Sequence, residues 1–283
     1  MSTVGLSSGT DFLRDSAKAH FEKIFQQPTI LLNSQLDANL SWRPSIQFTV
    51  NGHQTIVAEA SETPYPLIFN MRRTDILNVQ APITVYCVCP EEAYLADQPS
   101  AKKLMADGYG LFTVDAQGTV VKRCGSIPLV MQITDGLFVE EIKGLPKKFR
   151  QRIAESFEKY KQNAQSGVAD ISEVVEATVF KAGKDAVAKG WVTASDVKPG
   201  FSAKTLEALK DAANLKNAAA AIGGAQSFIS VYRNSAHHTP RNKKQAYTKY
   251  RDCRHGFLDG IKKIAHFRDS VKQCGLTGNL FEA

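Results

Sequence analysis

The chain has 283 residues, enough for two domains at roughly 100–200 residues each. Apolar residues make up 43% and charged residues 22%, with a net charge of +7, which excludes a disordered, collagen-like or disulfide-scaffold protein. The longest largely apolar runs, Ile83–Cys89 and Ala218–Ile222, fall far short of the roughly 20 residues that span a bilayer. Residues 1–10 are rich in Ser, Gly and Thr and carry no basic residue ahead of an apolar core, so no secretory signal is expected. Five cysteines are too few, and odd in number, for a disulfide framework, and a cytoplasmic protein with reduced thiols is expected.

In chain order, Asp11–Gln27 reads as a helix. Phe12, Leu13, Ala17, Phe21, Ile24 and Phe25 recur at helical spacing, and Thr10 or Asp11 is placed to cap its start. Ile46–Val50 alternates apolar and polar, Asn51-Gly52 supplies a hairpin turn, and Thr55–Ala58 returns. Ile83–Val88 is a β-branched strand closed by Pro90. Its Cys87 and Cys89 share a strand face, with no Cys or His pair following at zinc spacing, and read as buried strand residues. Ala101–Asp107 is a short helix ended by Gly108. Gly110–Val114, the turn Asp115–Gly118 and Thr119–Val121 form a further hairpin. Helices covering a mixed sheet follow from this order.

The second half reads as almost all helix: Phe149–Lys161, Ala169–Lys189, Ser202–Lys216, Ala219–Tyr232 and Lys243–Gln273. Gly183 is expected to break or kink the second of these, and Ser202 to cap the third. The last carries an apolar face of Tyr247, Tyr250, Phe257, Ile261, Ile264 and Val271. A bundle of four or five helices is expected.

Charge is divided unevenly. Residues 1–140 carry 10 Lys and Arg against 14 Asp and Glu, a net −4, whereas residues 141–283 carry 25 against 14, a net +11. Arg233–Lys272 alone holds eleven Lys and Arg against three Asp. Such density attracts polyphosphate, although a solvated helix face accounts for charge alone equally well.

The chemistry beside this cluster favours the first account. Arg233, Asn234, His237 and His238 follow an apolar helix and precede Pro240. RNA carries its own nucleophile, the 2′-hydroxyl, beside each phosphodiester. A histidine can take its proton or protonate the leaving 5′-oxygen. A guanidinium forks two N–H donors onto the phosphoryl oxygens and stabilises the charge that grows there. One such set supplies too few groups for both acid and base, so a homodimer with two sets in one cleft is expected.

Arg233-Asn-Ser-Ala-His-His238 resembles the Arg-polar-x3-His motif of HEPN domains, small helical bundles that include metal-independent ribonucleases of toxin–antitoxin, CRISPR and anti-phage systems. The resemblance covers about residues 145–275. It implies that Arg233 and His238 are catalytic and that Asn234 is the polar residue following the Arg; His237 is additional to the motif. Lys243, Lys244, Arg251 and Arg254 are expected to hold the RNA backbone, with Arg251 and His255 forming a second Arg/His pair one residue short of the motif.

The N-terminal half resembles a PD-(D/E)XK nuclease core whose chemistry is gone. Trp42-Arg-Pro-Ser45, a hairpin and Ile56-Val-Ala-Glu59-Ala-Ser61 follow the family pattern, but Ser45 stands where the family has Asp and Ser61 where it has Lys. Glu59 alone remains, and one carboxylate holds Mg²⁺ poorly. An unrelated small α/β domain fits these residues as well.

The expected protein is α+β: a degenerate, restriction-endonuclease-like α/β domain over residues 1–142, inactive as a nuclease, and an all-α HEPN-like bundle over residues 143–283. Its expected activity is metal-independent endoribonuclease cleavage of the toxin or anti-phage defence type. No cofactor and no membrane are expected. RNA, a second copy of the chain and an antitoxin or defence-complex protein are the expected partners. The alternative is a non-catalytic nucleic-acid-binding or regulatory protein in a defence complex. A Mg²⁺ nuclease depending on Glu59 is a third option.

Overall fold

The computed structural model describes residues 9–38, 40–232 and 240–277. Contacts divide them into two units, residues 9–136 with 240–251 and residues 137–232 with 252–277. The division falls earlier than the expected 142/143 boundary because the Phe138 ring stacks on Phe157, centroids 4.0 Å apart. Residues 240–251 join the first unit, where the Tyr250 hydroxyl lies 3.4 Å from His53 Nε2.

The first unit opens with α1 (Gly9–Ile24), which buries Leu13, Ala17 and Phe21, one residue per turn. Neither Thr10 nor Asp11 stands outside this helix as a cap. Both lie within it, and Asp11 instead pairs with Arg14 at 2.7 Å. The helix stops short of the expected Gln27 because Gln26 and Gln27 take left-handed φ values of 56° and 57°.

Six strands follow: β1 (Leu31–Leu32), β2 (Ile46–Val50), β3 (Gln54–Ala60), β4 (Ile83–Pro90), β5 (Gly110–Val114) and β6 (Val120–Cys124). They lie side by side in chain order. The β2–β3 hairpin turns at Asn51 and Gly52, both with positive φ (52° and 70°), as a primed turn requires. β3, β4 and β5 run parallel and the outer pairs antiparallel.

Parallel neighbours need crossovers, supplied by α2 (Leu67–Asn78) before β4 and by α3 (Glu91–Ala96) with α4 (Gln98–Ala106) before β5. The sequence reading contains neither α2 nor α3. In α2 only Phe69 and Ile76 are buried while Leu67, Met71 and Leu77 are exposed, so no apolar stripe marks it. α1 covers one sheet face, packing on Phe48, Ile56, Val88 and Phe112. α2 and α4 cover the other, with Val57, Val85, Cys87, Cys89 and Leu111 beneath them. Cys87 and Cys89 are thus free, fully buried neighbours on one face.

The remaining helices are α5 (Asp135–Ile142), α6 (Lys147–Gln162), α7 (Ala164–Ala188), α8 (Ser202–Asp211), α9 (Ala219–Tyr232) and α10 (Lys243–Gln273). α7 passes through Gly183 without a break. A Cβ there would lie 2.7 Å from the Thr205 methyl, so the glycine serves close helix packing. Ser202 is the first residue of α8 and Phe201 its cap position, so the expected serine cap is absent. α8 ends at Asp211 because Ala212 turns to extended backbone (ψ 120°), and a 3₁₀ segment, Ala213–Ala218, completes what the sequence reads as one helix. No described helix is long and apolar enough to cross a membrane.

The α6–α7 pair is clamped by a buried carboxylate. Asp170 Oδ2 accepts from Arg152 Nη1 and Ser156 Oγ, each at 2.6 Å, and its other oxygen accepts from Lys159. Burial opposes its ionisation, but hydrogen bonds from Arg152, Lys159 and Ser156 prevail and hold the carboxyl well below the ordinary Asp range. A depressed folded pKa stabilises above the unfolded value and loses that contribution as pH falls through the folded one. Arg152 and Lys159 are 38% and 54% exposed and recover water when the carboxylate is removed, which limits the loss. Asp170→Asn should therefore cost about 1–3 kcal/mol at pH 7. Urea unfolding should show the deficit narrowing below about pH 4, where an ordinary Asp protonates.

Candidate functional site

The expected catalytic residues Arg233, Asn234, His237 and His238 lie outside the described residues, between the last residue of α9, Tyr232, and Pro240. The described surroundings begin where α10 starts. Asn242 caps it, its Oδ1 accepting from Gln245 N at 2.9 Å, and Gln245 Oε1 accepts from Arg241 N at 3.0 Å. Two side-chain oxygens thus satisfy one backbone donor of the first helical turn and one just ahead of the helix.

Lys243 and Lys244 occupy the first turn, where the helix dipole favours acidic residues, and no acidic residue is present. Both are exposed, and neither pairs with a carboxylate among the described residues. They line a groove of about 1110 Å³ that lies within the first unit. Its walls come from separate stretches of sequence: Gln35 and Leu36 before β2, Thr49 and Gly52 of the hairpin, Gln80 after α2, and Tyr247 one turn along α10 from Lys243. Gln80 holds a left-handed φ of 53° there.

Arg251 and Arg254 belong to different units by contact. Arg251 is exposed, as is His255 one helical turn on. Arg254 is half-buried, near Tyr160; burial pushes that phenol upward and the Arg254 charge opposes the shift. The four expected phosphate-holding cations therefore occupy different settings, and only Lys243 and Lys244 line the groove.

Ser45 and Glu59, singled out from the nuclease-like pattern, are neighbours at the other end of the hairpin. Ser45 N donates to Glu59 Oε2 at 3.2 Å, and Ala60 N donates to Ser45 Oγ at 3.1 Å. Ser61 follows β3, and its hydroxyl lies 3.3 Å from that of Thr63. Burial raises the Glu59 pKa above its ordinary value, and the hydrogen bond from Ser45 N–H only partly offsets it. Divalent cations such as Mg²⁺ take several oxygen ligands, usually including carboxylates. Glu59 is joined here by serine and backbone groups, and no described group of three His, Cys, Asp or Glu is arranged to hold a metal. The residues present do not fit Mg²⁺.

Asp115 is turn chemistry, its Oδ1 accepting from Gln117 N and Thr119 N. Sequence reasoning missed Gln35, Thr49, Gln80 and the groove-lining position of Tyr247. Asn51-Gly52 marked the hairpin at the groove mouth, but no local signal relates it to residues 243–247.

Compared with protein-family models, curated proteins and solved structures, the chain matches none.

A carboxyl whose folded pKa is raised destabilises the fold above that pKa and not below its unfolded one. Glu59→Gln, which keeps an acceptor for Ser45 N–H, should raise the denaturant midpoint at pH 7. That gain should vanish below about pH 4, the ordinary Glu range.

Proposed function

We propose that this protein is a metal-independent endoribonuclease of the toxin or anti-phage defence type, acting through a HEPN-like C-terminal bundle. The observation that carries the reading is Arg233-Asn-Ser-Ala-His-His238, which in sequence joins α9 to the 31-residue α10. The basic segment Arg233–Lys272 around it supports a polyanionic substrate.

In the proposed reaction the 2′-oxygen attacks the adjacent phosphorus while the bond to the 5′-oxygen breaks. The 2′-proton passes to a base, and an acid protonates the departing oxygen. The products are a 2′,3′-cyclic phosphate and a 5′-hydroxyl. Arg233 holds the non-bridging oxygens, His238 serves as acid or base, and Asn234 orients the Arg. A second copy of the chain supplies the other proton-transfer group. The N-terminal unit acts as a sensor or scaffold with a nuclease-like core that has lost its chemistry. A cytoplasmic setting and an antitoxin or complex partner belong to the same proposal.

A second reading, nucleic-acid binding without catalysis, draws support from the exposed Lys243 and Lys244, which pair with no carboxylate among the described residues and line the groove. Incubation of purified protein with total RNA in EDTA separates the two. Cleavage should persist without metal, leave 2′,3′-cyclic phosphate ends, and fall about 10²–10⁴-fold in His238→Ala. Equal cleavage by both proteins would reject the assignment, as would no cleavage by either.

A further inference from the structure

We infer that the groove at the N-terminal ends of β3 and β4, lined also by Lys243, Lys244 and Tyr247, is a binding track for single-stranded RNA. That the strand is RNA rests on the ribonuclease reading. The groove itself is defined by geometry and charge.

Its volume, about 1110 Å³, exceeds the roughly 300–1,000 Å³ typical of a small-molecule pocket and suits a run of nucleotides. Lys243 and Lys244 add their charges to the positive end of α10 on one wall. Among the described lining residues Asp37 is the only carboxylate, and it already has an interaction within the chain. The balance on the wall therefore favours an anion.

Phosphate alone would need no aromatic or apolar surface, and the groove has both. Tyr247 lines it one turn from Lys243, and Leu31, 48% exposed, contributes an apolar patch from the edge strand. A ring spaced one helical turn from a cation matches the repeat of a single strand, in which each base offers a face beside a phosphate. The Gln35 amide is tied to the Ala38 and Leu40 carbonyls, and the Gln47 amide to those of Ser34 and Gln35. These bonds hold the two amides in place without a ligand, and groups already held cost less to order on binding.

A duplex suits the site less well. Double-stranded RNA is met across a broad, shallow surface more than in a groove. The nuclease-like position lies apart from this track: Thr55 lines the groove, while Glu59 sits four residues on, about 13 Å along β3.

The test uses the full chain carrying His238→Ala, in EDTA, with a labelled 12-nucleotide single-stranded RNA followed by fluorescence anisotropy across a salt series. Lys243→Gln with Lys244→Gln should weaken binding by about tenfold or more and flatten the slope of log K against log salt by about 1.4, two contacts at roughly 0.7 each. Tyr247→Leu should weaken binding at least about fivefold and leave that slope unchanged, while Tyr247→Phe retains affinity. Lys210→Gln with Lys216→Gln, exposed in the second unit, should bind as the parent does. Circular dichroism and thermal unfolding of each variant identify any loss that comes from misfolding.

Unchanged affinity and slope in both groove variants would overturn the inference. So would tighter binding to duplex RNA than to single strands, or binding of an unstructured acidic peptide with none of RNA. Groove-dependent binding in a chain whose wild type never cuts RNA would uphold the track and reject the nuclease. Histidine-dependent cutting with unaltered binding in the groove variants would do the reverse.

Discussion

The first unit depends on one constraint: β4 must be dry on both faces. Ile83 to Cys89 are all buried, so neither side of this strand can face water. Each such Val or Ile contributes about 1.5–3 kcal/mol when fully withdrawn from solvent. Two helical layers are therefore required, α1 on one face and α2 with α4 on the other. Parallel pairing on both sides of β4 follows from those crossovers, as buried parallel strands require. The same topology determines where chemistry can sit. The starts of β3 and β4 are aligned at Thr55 and Ile83 and open onto the groove, while Glu59 lies near the far end, paired with Cys87.

Two carboxylates show how partners, more than depth, determine the state of a buried acid. Glu59 accepts from the Ser45 N–H, and burial prevails, raising its pKa. Asp170 accepts from two cations and a hydroxyl, and the partners prevail, lowering it. Glu59 is accordingly a poor start for a cation site, since a carboxylate that resists ionisation must first pay for its charge. Asp170 is a structural clamp between α6 and α7, and its partners account for its charge without a ligand.

Several elements were legible in the sequence because their cause is local. Alternation in Ile46–Val50, the Asn51-Gly52 turn and the long periodic run Lys243–Gln273 each carry their own geometry. The elements that escaped are those whose cause lies elsewhere. α2 has no stripe because only Phe69 and Ile76 reach the core. Gly183 reads as a breaker, yet α7 runs through it, and the glycine is there because its neighbours leave no room for a Cβ. Ser202 looks like a cap, yet it begins the helix and is buried.

From the sequence alone come the mixed α+β class, the basic second half, the Arg233–His238 segment and the serines at 45 and 61 on either side of Glu59, because each is a matter of residue type and short spacing. The tertiary structure decided which cations share a surface. Lys243 and Lys244 meet Thr49, Gln80 and Tyr247 in one groove, whereas Arg251 and Arg254, on the same helix, do not line it. The physical reason is that the groove joins the strand starts at Thr55 and Ile83 to the start of a helix at Lys243, far along the chain. Hydrophobic burial of β4 aligns the strand starts that form one of its sides, and no local pattern in the sequence records that alignment.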